Sequence, residues 1–164
     1  MCGIVAIVSR PSTRTVPEAA ALLGLLDQAA AAATLADAAR AVNEVDRLLH
    51  GVPGVRALVG RHELVAGITA RLDQIDARVA ARDAELEAAT GLSPEALEAA
   101  NAELLSIRDA AWAVRKDRLR TAEMVGRFAG RDAGESAVAA YLTIQQALSA
   151  IDRMEVRGRD SAGI

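Results

Sequence analysis

HELVAGITARLDQIDARVAARDAELEAATGLSPEALEAANAELLSIRDAAWAV, residues 62–114, carries the periodicity that sets the architecture. Val65, Ile68, Leu72, Ile75, Val79 and Leu86 recur at heptad spacing, interrupted only where Arg82 takes an apolar slot. Gly91 suits the residue just past a helix end, and Ser93-Pro94-Glu95 then supplies a cap, a first-turn proline and a first-turn acid for a new helix. Leu97, Ala100, Leu104, Ile107, Ala111 and Val114 continue the seam. Two patterned helices joined through Gly91-Leu92 predict an antiparallel, coiled-coil-like hairpin, an arm of roughly 45 Å at 1.5 Å per residue.

The flanks follow the same grammar. A helix is expected from about Pro17 to His50, capped by Thr15, with Ala38, Val42, Val45 and Leu49 on one face and Gly51-Val52-Pro53-Gly54 as its stop. Residues 130–134 interrupt the pattern again. A last helix, from about Ser136 to Val156, carries Val138, Tyr141, Leu142, Gln145, Leu148 and Ile151 as its stripe. The one departure is Cys2 to Ser9, a short Ile/Val run ended by Arg10-Pro11-Ser12, which predicts a buried strand. The predicted fold class is therefore mainly α with a short N-terminal β-strand.

Composition agrees. The chain has 164 residues, 52% of them apolar, yet only one Trp, one Tyr and one Phe. Much of the apolar content is alanine, which favours helices and buries little area, so slender packed helices are expected. Nineteen basic and 22 acidic residues leave a net charge of −3 without long blocks of either sign, which argues against a nucleic-acid or anionic-membrane surface. The apolar start is too short for a spanning helix and has no basic flank, and one cysteine forms no internal disulfide; a cytoplasmic location is expected.

Several conspicuous residues have ordinary explanations. His50 ends a helix and His62 falls among exposed positions, neither with a second ligand at metal spacing, so no metal site is expected. Trp112 is expected to pack. The run Arg115-Lys116-Asp117-Arg118-Leu119-Arg120 is expected to be a solvated helix face.

The two ends ask for a chemical explanation. The only cysteine is Cys2, directly behind Met1, and the last residues are Arg157-Gly158-Arg159-Asp160-Ser161-Ala162-Gly163-Ile164. Met-Cys-Gly-Ile-Val and this Arg-Gly-x-Asp-Ser-Ala-Gly string, in that order and with a helix leading into the second, resemble the class II (N-terminal-nucleophile) glutamine amidotransferases. Within them the second string is most similar to the glutamine–fructose-6-phosphate aminotransferase (isomerizing) branch; an amidophosphoribosyltransferase-like enzyme is the nearer alternative. The resemblance covers residues 1–11 and 136–164, as parts of an αββα glutaminase domain, and leaves 12–135 as a helical insertion.

The resemblance implies that Met1 is removed, so that Cys2 presents a thiol and a free α-amine on one residue. An α-amine titrates near 7.7–8.0, low enough to serve as base to its own thiol at neutral pH. The resemblance makes Cys2 the nucleophile, with Gly3, Arg157, Gly158, Asp160 and Ser161 as active-site support. It implies glutamine as ammonia donor, fructose 6-phosphate as acceptor in further domains, glucosamine 6-phosphate as product, and no cofactor. The family's oxyanion-hole Asn-Gly pair and glutamine clamps lie downstream of this motif, so the chain is expected to be the N-terminal part of a longer enzyme and inactive alone. A rival expectation from another class is a non-catalytic oligomerisation module, with copies associating through the helical arm.

Overall fold

The computed structural model of the chain describes residues 6–8 and 10–155. Ala6, Ile7 and Val8 lie in no strand, and no strand occurs among the described residues; the rest of the predicted Cys2–Ser9 strand, residues 2–5 and 9, lies outside them. The chain is mainly helical, as its composition predicts.

The expected helix from Pro17 to His50 is two helices, α1 (Ala19–Ala31) and α2 (Leu35–Leu48). Thr15 does not cap α1; Glu18 precedes its first turn, without a side-chain capping bond. The break falls in an alanine run that would by itself favour helix, so the polar groups around it explain it. Thr34 Oγ1 accepts the Asp37 N–H at 3.1 Å, and its hydroxyl donates to the Asp37 carboxylate at 2.8 Å, the cap that starts α2. On the other side, the Arg78 guanidinium donates to the carbonyls of Ala29 (3.0 Å), Ala30 (2.7 Å) and Ala32 (2.8 Å), satisfying the orphan acceptors at the end of α1.

The predicted stop at 51–54 ends α2 and also begins α3 (Gly51–Leu58). Gly51 turns the corner at φ +73°. Pro53 falls in the first turn, where a missing N–H costs nothing. A Cβ at position 54 would run into the main chain of Leu49, so glycine lets the two helices meet at a sharp angle.

α4 (His62–Ala88) and α5 (Pro94–Trp112) form the predicted hairpin. Ser93 Oγ accepts the Ala96 N–H at 3.2 Å, and the Glu95 carboxyl is held below its ordinary range by its own backbone N–H and by Ser93, which completes the cap read from the sequence. The hairpin is not a free arm. α1 lies against α2 and α4, and α5 lies against α2 and α4, closing a four-helix bundle. Ile68, Leu72, Ile75 and Val79 of α4 and Leu104, Ile107, Ala111 and Val114 from α5 onward are buried with Leu22, Leu26, Val42 and Val45. Each such Val, Leu or Ile side chain contributes about 1.5–3 kcal/mol when fully buried. Because α1 and α2 are about half the length of α4, only the distal end of the hairpin projects. There Leu86 and Ala100 are half-buried and Leu97 is exposed, so the seam's last positions do not reach the core, and Arg82 pairs with Glu85 at 3.0 Å on the surface.

Beyond Trp112 the helix continues as a π-helical segment, Ala113–Leu119, and then as α6 (Arg120–Ala129), so residues 94–129 form one unbroken rod. Gly130 stops it at φ +83°. α7 (Glu135–Glu155) confirms the predicted last helix and packs across α3 and α6 at one end of the bundle. It is pinned by Val138 and Leu142, with Tyr141 half-buried and stacked on Phe128 at 6.2 Å between ring centres. Along its second half Ile144 and Leu148 are exposed and Gln145 and Ile151 half-buried.

Candidate functional site

The residues that the amidotransferase resemblance singles out, Cys2, Gly3, Arg157, Gly158, Asp160 and Ser161, lie outside the described residues. What the structure describes is how the chain reaches and leaves the helical segment between them.

One approach is held at the corner between α2 and α3, the other on α3. Arg14 Nη1 donates to the Arg47 carbonyl at 2.9 Å, and Nη2 donates to the His50 carbonyl and lies against Gly51. This caps the C-terminal end of α2 with a cation, as its exposed acceptors require. At the far side, Arg56 Nη1 meets the Glu135 carboxylate of the first turn of α7 at 2.5 Å. Gly51 and Arg56 belong to the same short helix, separated by about 8 Å along its axis. The segment 12–135 is thus anchored near its start at one end of α3 and near its finish by a side chain of the same helix.

Between α3, α7 and the long rod runs an open groove of about 1020 Å³. Its apolar side chains include Leu49, Val55, Trp112, Met124 and Leu148; Lys116 and Arg120 line its charged wall and Asp152 stands on α7. Trp112, expected to pack, is 54% exposed here. The basic run 115–120 is only partly a solvated face. Arg115 bridges Asp73 at 2.8 Å and Asp76 at 2.6 Å, tying the π segment to α4, and Arg118 grips both Asp46 oxygens at 2.8 and 3.0 Å, tying it to α2. The Arg118–Asp46 pair is about four-fifths covered, the best-shielded ion pair of the described residues.

His50 stands beside this pair. Its imidazole is pushed below its ordinary value of 6.5, first by partial burial, then by the Arg118 and Arg14 cations, with Asp46 opposing. No fully buried polar or charged residue and no cluster of three His, Cys, Asp or Glu side chains able to hold a metal occurs among the described residues. None of the described helices is long and apolar enough to cross a membrane. The described part therefore supplies ion pairs and a groove, without a nucleophile, base and oxyanion donor in mutual reach.

The chain matches no known protein family, no curated protein and no solved structure.

Sequence reasoning missed the groove because it rests on the π segment, which has no strong sequence signature, and on the tilt of α7. The charge distribution along the rod was readable in advance: Glu95, Glu98, Glu103 and Asp109 occupy its first half, and Lys116, Arg118, Arg120 and Arg127 its second.

Proposed function

We propose that the two ends of this chain are parts of a class II glutamine amidotransferase and that residues 12–135 are a helical insertion between them. The single observation that carries the proposal is the ordered pair of strings, Met1-Cys2-Gly3-Ile4-Val5 and Arg157-Gly158-Arg159-Asp160-Ser161-Ala162-Gly163, the first holding the only cysteine. Arg14 reaching the corner between α2 and α3, and Arg56 of α3 reaching Glu135, support the insertion, since a segment placed inside another domain must return near its starting point.

After removal of Met1, the Cys2 α-amine takes the thiol proton and the thiolate attacks the side-chain amide carbon of glutamine. The tetrahedral adduct collapses, the C–N bond breaks, and ammonia leaves with the proton the amine held. Water then hydrolyses the glutamyl thioester to glutamate and the free thiol. Arg157 orders the terminal cysteine, Gly158 allows close backbone approach, and Asp160 and Ser161 hold the turn through side-chain to backbone bonds. Fructose 6-phosphate is the proposed acceptor and glucosamine 6-phosphate the product, which makes the parent protein a glutamine–fructose-6-phosphate aminotransferase. A free catalytic thiol fits a reducing, cytoplasmic setting.

The test is glutamine hydrolysis by the product of the whole reading frame, with intact mass measured alongside. Activity that needs Cys2 and a protein that begins with it support the proposal. Hydrolysis surviving Cys2→Ala, or an active protein that keeps Met1 quantitatively, overturns it.

A further inference from the structure

The rod formed by residues 94–129 carries an outward row that the bundle does not cover. Leu105 is 60% exposed and Trp112, seven residues on, is 54% exposed, so the two lie on nearly the same side of the helix. Glu98, seven residues before Leu105, continues the row toward the N-terminal end, and Lys116 and Arg120 continue it past Trp112. None of Glu98, Lys116 and Arg120 has an ion-pair partner among the described residues. The row is thus apolar in the middle, acidic at one end and basic at the other.

We propose that this row is the self-association surface of the chain and that its occupant is a second copy, lying antiparallel across a twofold axis near Arg108-Asp109. A twofold contact brings each residue of the patch against its mirror position, so the patch must complement itself when reversed. This one does. Leu105 of one copy meets Trp112 of the other and Glu98 meets Arg120, each pair occurring twice. A parallel pairing would set acid against acid at one end and base against base at the other.

The groove adds a second reason. In the antiparallel arrangement the Glu98–Leu105 turns of one copy lie over Lys116 and Arg120 of the other, with Leu148 as the opposite wall. A helix about 10 Å across fills a 1020 Å³ groove over roughly two and a half turns, close to the length from Glu98 to Leu105. The exposed tryptophan at the centre and the charges at the rim match the usual division of an interface. The surface is independent of the chemistry proposed for the chain ends.

Trp112 is the only tryptophan, so its emission reports the surface directly. Sedimentation equilibrium of the full chain is expected to show a monomer–dimer equilibrium, with Trp112 emission moving to shorter wavelength as the dimer forms. Leu105→Glu is expected to raise the dissociation constant at least about tenfold while leaving helicity unchanged. Glu98→Arg and Arg120→Glu are each expected to weaken the dimer, and the two together to restore it. A chain that stays monomeric at every concentration reached, or a dimer whose Trp112 emission does not move, overturns the proposal. So does a dimer indifferent to Leu105→Glu, or single charge reversals that the double reversal does not repair.

Discussion

His50 is the described residue whose titration bears most directly on folding. Its neutral form is favoured in the fold by partial burial and by the Arg118 and Arg14 cations. Above its unfolded value of 6.5 the imidazole is neutral in both states. As pH falls below that value the unfolded chain takes up the proton first, so folding loses stability until the folded imidazole also titrates. Urea unfolding compared between pH 7.5 and a pH about two units lower is therefore expected to show a decline that His50→Gln makes shallower. Identical declines in the two proteins would show that His50 does not contribute. The Arg14 bonds to the Arg47 and His50 carbonyls lie on the same corner and should loosen with it. The cap at Ser93, which accepts the Ala96 N–H, was legible in the sequence because donor and acceptor lie three residues apart. Arg78 was not, because its acceptors sit more than forty residues away and only the folded bundle brings them to it.

The helices were most legible where one face had to be buried along a long run. α4 and α5 show their heptads plainly, and their core positions follow the seam until the bundle ends. The division of α1 from α2 was hidden by alanine, whose preference for helix says nothing of a break imposed by caps and packing. Likewise the π segment was hidden because a wider turn keeps the same residue types and changes only their register. That register has a function in the fold: Ile107 and Ala111 before it, Val114 within it and Ala122 and Val125 after it are all buried, while Arg118 reaches Asp46. Deleting Lys116 alone should tighten the segment toward α geometry and rotate α6 by about 100° relative to α5. Val125 would then leave the core and a polar neighbour would replace it, at an expected cost of about 3 kcal/mol or more. Chemical denaturation of the deletion variant measures this; a loss below 1 kcal/mol would mean the register is not fixed by burial.

In the whole molecule, the core of the described residues runs from Leu22 to Leu142. Residues 10–155 without the two ends are therefore expected to fold to the same helicity, with a single cooperative transition close to that of the full chain. A molten or unfolded product would show that the ends complete the core. The composition made the helical class legible, and the ends made an enzymatic hypothesis legible, but for different physical reasons. Packing repeats along the chain and leaves a period, whereas a catalytic centre needs a few groups that no period announces. Where the helical segment is anchored became visible only through Arg14 at the corner between α2 and α3 and Arg56 on α3.

That shared attachment has a mechanical consequence. A pull applied between the two chain ends meets first the Arg14 bonds at the corner between α2 and α3 on one side and the Arg56–Glu135 pair on the other. These yield one after another, like the teeth of a zip, before the packed helices of the bundle separate. Stretching the chain by its ends in an optical trap should show an early, low-force extension before the main rupture. Replacing both Arg14 and Arg56 by alanine should erase that first step and leave the second.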